Sequence, residues 1–437
     1  MDVDQKTAVL SLSGPDAQCV VDAVNDVLRE TNILASNEGK RVLSMLCKLV
    51  KSASVFPRCY RLEGVHVDSE LSGAGGFADV YEGVYRGQKI CVKIVRRYQK
   101  LDQLQILAVS VMTELVLWAH LVHQNILPFY GAYSGLSGGI YLISPWMKNG
   151  NLRVYLKMNP NPPKMLLVLD IINGLYYLRS LGVVHGDLKG ENVLVSDQGR
   201  ALIADFGISH VEASSRPPNT GSPNGTLRWT APELLENNGD SYVRPTPESD
   251  VWSFGCVCYE ILTLKMPFYQ YGLDSVVVLA LHRQEIPVQP ALKDQVDETM
   301  WSIMARCWNY TPKERPSCEE LLRFFEALEL PDHRFQTSNL VEESATFWKA
   351  MKARSMKKTN YQRAYQVLTQ VSDSSLSTGP LVIYLTPSLL KIQLTKAPAQ
   401  IRALILEMIM NDRQSDLIFQ VRGEDSQCII DVINDVR

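Results

Sequence analysis

Between His185 and Gly207 the chain reads His-Gly-Asp-Leu-Lys-Gly-Glu-Asn-Val-Leu-Val, then Ser-Asp-Gln-Gly-Arg-Ala-Leu-Ile-Ala, then Asp-Phe-Gly. Two carboxylates, a lysine and an amide are separated by two short apolar runs. Val193–Val195 and Ala201–Ala204 read as the strands of a tight hairpin turned by Asp197-Gln198-Gly199-Arg200. Such a hairpin holds Asp187 and Asn192 beside Asp205. Phosphoryl transfer needs that set: one carboxylate to accept the proton of an attacking hydroxyl, and an amide with a second carboxylate to hold Mg²⁺ against phosphates. An accidental run of loop residues is the competing explanation, and the surrounding elements decide between the two.

Composition sets the bounds. A chain of 437 residues suits two or three domains, and its 46% hydrophobic and 21% charged residues suit a buried core. A formal net charge of −3 argues against wholesale nucleic-acid binding. Nine cysteines show no metal-ligand rhythm, which fits reduced thiols better than a disulfide frame. No segment approaches the apolar length of a membrane span. The expectation is a soluble protein of the cytoplasm, or of the nucleus.

Several elements must position the central stretch. Residues 62–147 read as short strands with one long helix. Leu71 to Val80 carries glycines at 73, 75 and 76, which let backbone amides close over phosphates. Such a turn, taken alone, often does no more than reverse a chain. Lys89 to Ile94 alternates like a strand and brings up Lys93. The helix from about Gln103 to His120 carries Glu114, a natural ion-pair partner for Lys93. From Asn151 onward helical periods dominate, and Leu166–Leu181 leads into the central stretch.

Together these motifs resemble the catalytic core of eukaryotic protein kinases over residues 66–330. The style is closest to the tyrosine-kinase-like group of serine/threonine kinases, and His-Gly-Asp-Leu-Lys-Gly-Glu-Asn after a helical N-terminus is similar to the expanded kinases of mushroom-forming fungi. The resemblance implies an α+β, bilobal fold: a five-stranded antiparallel sheet plus one helix over a mainly helical lobe, with ATP between them. It implies Asp187 as catalytic base, Lys189 steadying the transferred phosphate, and Asn192 and Asp205 as Mg²⁺ ligands. Lys93, paired with Glu114, would hold the α- and β-phosphates. Gly73, Gly75, Gly76 and Val80 would cover the nucleotide, although Ala78 replaces the family's third glycine. Cys91 would roof the adenine, Ser144 would be a small gatekeeper, and Pro145 and Met147 would supply hinge contacts. Thr226 would shape the groove for protein substrates, and Trp118 would pack toward His185 and Phe206. Glu233 would pair with Arg315, and Asp250 would brace the catalytic loop. Lys189 favours serine or threonine as acceptor, while Arg228-Trp229-Thr230 leaves dual specificity open. A pseudokinase scaffold and a small-molecule kinase are the alternatives.

The flanks are less explicit. Ala17, Val20, Val21, Val24, Val27 and Leu28 form one helical stripe, and Val42, Leu43, Leu46, Leu49 and Val50 another. They predict a helical hairpin that binds a partner or packs on the next domain. Residues 423–436, Gly-Glu-Asp-Ser-Gln-Cys-Ile-Ile-Asp-Val-Ile-Asn-Asp-Val, echo 14–27, Gly-Pro-Asp-Ala-Gln-Cys-Val-Val-Asp-Ala-Val-Asn-Asp-Val. This copy stops before a second helix, as in a duplication begun or a chain cut. Half a hairpin cannot bury its apolar face, so it is expected to fray or to dock elsewhere. A run without acidic residues from Ser344 to Ser372 carries Lys349, Lys352, Arg354, Lys357, Lys358 and Arg363. It suits a solvated helix or linker, or attraction to an acidic surface. The expected division is a hairpin module at 1–60, kinase lobes at 61–147 and 148–330, a linker at 331–400, and an incomplete second module at 401–437.

Gly186 stands where many kinases carry the arginine that meets a loop phosphate, so switching by such a phosphate loses its main electrostatic partner. Alanine placed singly at Ser209, Ser214, Ser215, Thr220 or Ser222 is expected to leave phosphotransfer standing. A collapse at any of the five would sink that expectation.

Overall fold

Alternating apolar residues over 66–95 make a three-strand meander, because period-two burial suits a sheet with one face on a core. The computed structural model describes residues 3–30, 33–74, 78–95, 111–134, 139–206, 210–211, 227–235, 243–290, 296–334 and 359–374. Strands β1 (His66–Ala74), β2 (Ala78–Tyr85) and β3 (Gln88–Val95) are joined by β5 (Ile140–Pro145) and β4 (Gly131–Ser134) in the order β1-β2-β3-β5-β4. Every pairing is antiparallel. Ile90, Val92 and Ile143 fill a small core on one face with Leu62, Tyr85 and Tyr130. Cys91 and Lys93 therefore point to the other face, toward the second lobe. Helix α4 occupies 111–119, with Leu115 and Val116 fully buried.

The second lobe is helical. It comprises α5 (Leu152–Met158), α6 (Lys164–Ser180), α7 (Pro247–Thr263), α8 (Asp274–His282), α9 (Glu298–Cys307) and α10 (Cys318–Glu326). Helix α7 starts on a Thr246–Ser249 capping box and is buried at every residue from Ser249 to Thr263, which makes it the lobe's central post. Two small sheets pack on α5 and α6: β6 (Val183–Val184) pairs with β9 (His210–Val211), and β7 (Val193–Val195) with β8 (Ala201–Ile203). The latter is the expected hairpin, with Val195 opposite Ala201.

The N-terminal unit is larger than a hairpin. Helices α1 (Val3–Leu10), α2 (Gly14–Glu30) and α3 (Asn37–Ala53) are joined by α11 (Tyr361–Ser374), which packs along α2. Helix α11 comes from the stretch expected to be linker. Arg363 Nε and Nη2 grip the Asp16 carboxylate at 2.8 and 2.9 Å, and Thr359 Oγ1 donates to Asp26 at 3.0 Å. Beneath them Val9, Leu28, Leu43, Leu46, Ala364 and Val367 are buried together.

The strip 56–60 fastens this unit to the sheet lobe. Gln18 Nε2 donates to the Phe56 carbonyl at 3.0 Å, and Arg58 meets Asp22 through its backbone N–H (2.8 Å) and Nε (3.0 Å). Tyr60 Oη donates to Asn25 Oδ1 at 2.7 Å, with the Arg29 guanidinium 5.5 Å from the Tyr60 ring centre. On its other side the Tyr60 ring meets Phe129 and His120 edge-on, at 5.9 and 6.5 Å.

Just past the helical lobe, Arg334 turns back into it. Its guanidinium contacts the Asp170 carboxylate at 2.7 and 3.2 Å and donates to the Gly199 carbonyl at 2.9 Å, while Asp332 and Arg200 complete the cluster. Asp170 also accepts from the Ala201 N–H at 2.9 Å, so the latch ends on the β7–β8 hairpin. Arg334→Ala leaves Asp170 buried with only Arg200 as counter-charge. It should cost about 3 kcal/mol in denaturant unfolding followed by tryptophan fluorescence, and a midpoint equal to the parent's would refute the latch.

Candidate active site

A buried charge brings β3, α4 and the Asp-Phe-Gly segment together. Lys93 Nζ lies 2.8 Å from Glu114 Oε1 and 2.8 Å from Asp205 Oδ1. Burial by itself would draw the lysine down, but the two carboxylates push it above its ordinary value. Burial raises Glu114, with Lys93 opposing. Asp205 reaches the contact with φ of +65°, in the left-handed region that costs a non-glycine residue. Its side chain is 43% exposed against 17% for Lys93 and 4% for Glu114, so of the three Asp205 is the one open to the cleft.

Apolar packing fixes the same geometry. The Phe206 ring lies 6.0 Å from Trp118 and 5.5 Å from His185, and Trp118 stacks on toward Phe129 at 5.1 Å. The buried indole N–H of Trp118 donates to the Leu127 carbonyl at 2.7 Å. Helix α4 and Asp205 are therefore tied by rings as well as by charge.

The loop before β7 is held from below. Asp250, at the start of α7, accepts the His185 and Gly186 N–H groups at 2.7 and 2.8 Å, and Ala204 O lies 3.0 Å from His185 Nε2. Gly186 has φ of +81°, a conformation that favours glycine. Asp187 Oδ2 accepts from Lys189 Nζ at 3.0 Å and from Asn192 Nδ2 at 2.9 Å. Its other oxygen, Oδ1, is buried and has no partner among the described residues. Burial raises the Asp187 carboxyl, Lys189 opposes, and Asp205 raises it further. A buried acceptor without a donor costs free energy until a donor arrives; a substrate hydroxyl is such a donor.

The nucleotide-side residues sit where the pairing puts them. Val80 is opposite Lys93, Gly73 opposite Val80, and Cys91 opposite Ser144. Cross-strand partners share a face, so Val80, Lys93, Cys91 and Ser144 lie together beneath the sheet. Burial raises the Cys91 thiol, with a hydrogen bond from Ser144 opposing. Pro145 ends β5 opposite Ile90, and Met147 is buried two residues on. Gly75, Gly76 and Thr226 lie outside the described residues. Asn192 turns Nδ2 onto Asp187 and leaves Oδ1 for coordination. With the open Asp205 carboxylate, that is a pair of hard oxygen donors of the kind Mg²⁺ takes alongside phosphate oxygens and water.

One residue of this machinery had no place in the sequence reading. Glu260, on buried α7, accepts from Trp229 Nε1 at 2.7 Å and from the Gly190 N–H at 3.1 Å, with Arg153 Nε 3.8 Å away. It couples the loop carrying Lys189 to the Arg228-Trp229 segment. A Cβ at Gly190 would fall 2.9 Å from Glu260 Oε2, so glycine permits the approach. A lone carboxylate in an apolar helix was the available signal. Nearby, Arg315 forks onto Glu233 with two contacts of 2.7 Å and lies 5.1 Å from the Trp252 ring centre.

Burial pushes Glu260 up to about 7. The folded state then holds a proton that the unfolded state has lost between pH of about 4.5 and 7, so stability falls as pH rises through that window. Glu260→Gln keeps an acceptor oxygen and removes the titration. The parent should lose roughly 2–3 kcal/mol across the window and the variant should not. Equal pH slopes in thermal melts of the two would disprove the assignment.

A family model described as protein tyrosine and serine/threonine kinase matches residues 65–325, more than half of the chain. An Arabidopsis thaliana protein named serine/threonine/tyrosine-protein kinase HT1 is 32% identical over 262 residues, which cover 58% of this chain and 64% of that protein. MAP3K epsilon protein kinase 1 of the same plant is 29% identical over 278 residues, covering 62% and 19% respectively. A probable serine/threonine-protein kinase of Dictyostelium discoideum is 31% identical over 265 residues, covering 59% and 40%. The chain thus spans less than two thirds of each of these relatives. No described helix is long and apolar enough to cross a membrane. A five-stranded lobe over a helical one, Lys93 bridging Glu114 and Asp205 between them, and the match across both lobes place this chain in the protein tyrosine and serine/threonine kinase family.

Proposed function

We propose that the chain transfers the γ-phosphoryl group of ATP to serine or threonine hydroxyls of protein substrates. The observation that carries this is the buried Asp187 carboxylate, held by Lys189 and Asn192 through Oδ2 and with Oδ1 unpartnered among the described residues. In this reading Asp187 orients the acceptor hydroxyl and takes its proton. Lys189, already 3.0 Å from Asp187, meets the charge developing on the transferred phosphate. Lys93 holds the α- and β-phosphates once nucleotide draws it from Asp205, and Glu114 keeps it extended. Asn192 and Asp205 hold Mg²⁺, which when bound neutralises phosphate charge. Gly73, Gly75, Gly76 and Val80 cover the phosphates, Cys91, Ser144, Pro145 and Met147 surround the adenine, and Thr226 shapes the groove.

Lys189 favours serine or threonine, and Arg228 leaves tyrosine open as a further acceptor. The Arg228 guanidinium is buried and donates to the carbonyls of Phe268 and Tyr271 at 2.8 Å each, which fixes the floor next to the groove. An intracellular setting suits this chemistry, and the eight described cysteines are all free thiols. The helical module at the N-terminus is read as docking on its own kinase lobes, through the strip 56–60.

Incubation with ATP, Mg²⁺ and a generic protein acceptor should yield phosphoserine and phosphothreonine. Asp187→Asn should lose about 10²–10⁴-fold in turnover while still binding nucleotide. A variant as active as the parent removes Asp187 from the mechanism. Nucleotide binding by the parent with no transfer to any acceptor replaces the enzyme with a scaffold.

A further inference from the structure

Helix α2 is held by an unusual amount of buried polarity. Asn25, Asp22 and Gln18 are 0%, 4% and 8% exposed, and each is spent on the strip 56–60: Asn25 on Tyr60, Asp22 on Arg58, Gln18 on the Phe56 carbonyl. Asp16 and Asp26 are spent on Arg363 and Thr359. Buried polar side chains are costly without these partners. Their identities therefore describe the surface they face.

The same identities occur a second time. Aligned on Gly14 and Gly423, the later segment carries Asp425, Gln427, Asp431, Asn434 and Asp435 at the positions of Asp16, Gln18, Asp22, Asn25 and Asp26. All five polar anchors of α2 are present, and Cys428 repeats the buried Cys19. The differences spare the anchors: buried Val20 and Val21 become Ile429 and Ile430. Generic amphipathic helices keep apolar spacing and vary their polar residues, whereas here the polar set is retained. The sequence holds two such segments, and the Phe-Pro-Arg-Cys-Tyr strip at 56–60 receives the first.

We propose that the surface occupied by α2 is a receptor with two ligands in one chain, and that residues 423–436 compete with α2 for it. The tether favours this. Helix α11 forms one wall of the site along α2, and residues 375–422 continue the chain from its end at Ser374. Even as a coil, a connection of that length spans about 35–40 Å and holds its end at roughly millimolar effective concentration. Helix α2 is the resident ligand: its position 28 is a buried leucine, where the copy has Arg437, and Arg29 adds its stack on Tyr60. The receptor reaches the catalytic lobe through Tyr60, whose ring touches His120 and Phe129 just past α4. Exchange of one ligand for the other is thus made next to the helix that bears Glu114.

Hydrogen exchange read by mass spectrometry on the full chain tests this. A synthetic peptide of residues 420–437, added at millimolar concentration, should speed exchange in residues 14–30, and the same peptide with Asp431→Ala and Asn434→Ala should not. Within the chain, Asn25→Ala should slow exchange at 423–436 by about tenfold or more, and adding Asn434→Ala should reverse that. Unchanged exchange at 14–30 with the peptide overturns the proposal, whether or not the Asn25 variant folds. Protection at 423–436 indifferent to both asparagines overturns it too. Transfer that depends on protein concentration assigns the competing segment to a second copy and overturns the intramolecular form.

Discussion

An ammonium group taken out of water must be met by negative charge, and around Lys93 two carboxylates from distant parts of the chain do so. Glu114 comes from α4 and Asp205 from the end of β8, both at 2.8 Å. Desolvating Lys93 and Glu114 is expensive, and separating them inside the cleft more so. The sheet lobe, α4 and the hairpin therefore share one arrangement. The ring column Trp118–Phe206–His185 enforces it without charge. Of the two carboxylates, Asp205 is the more exposed, so it is the one that an arriving ligand reaches first.

The irregular segments of the structure follow a second rule. Loops cannot satisfy their own backbone N–H groups, and here buried carboxylates rooted in helices do so. Asp250 on α7 takes His185 and Gly186, Glu260 on the same helix takes Gly190, Asp170 on α6 takes Ala201, and Asp22 on α2 takes Arg58. Burial raises all four carboxyls. The catalytic loop is thereby clamped from α7 at two points on either side of Asp187. The chemistry is presented by a segment without regular hydrogen bonding that is nonetheless anchored at both ends.

Much of this was legible in the sequence because phosphoryl transfer tolerates few residue types. Asp187, Lys189, Asn192 and Asp205 stand within one stretch, and Lys93 and Glu114 were singled out by the resemblance to protein kinases, through their place after the glycine-rich turn. The β7–β8 hairpin and the bracing by Asp250 fell in the same way. The Arg334 latch did not, because it joins residues 164 apart and no local pattern encodes such a pairing. Helix α11 was hidden by composition: its described buried positions, Ala364 and Val367, are few, and the basic residues from Lys349 to Arg363 made the stretch read as a solvated helix or linker. Glu260 was passed over because a carboxylate inside a buried helix becomes meaningful only once Gly190 and Trp229 are seen to converge on it.

The N-terminal module takes its fourth helix from beyond both kinase lobes in the sequence. The Thr359–Asp26 and Arg363–Asp16 contacts join residues 333 and 347 apart. At a ribosomal pace of about 5–20 residues per second, α2 waits roughly 20–70 s for α11 to be synthesised. During that interval both catalytic lobes can fold while the apolar side of α2 that α11 later covers stays bare. The nascent chain is then most in need of chaperone cover at α2, and the module is complete only after both kinase lobes have been translated.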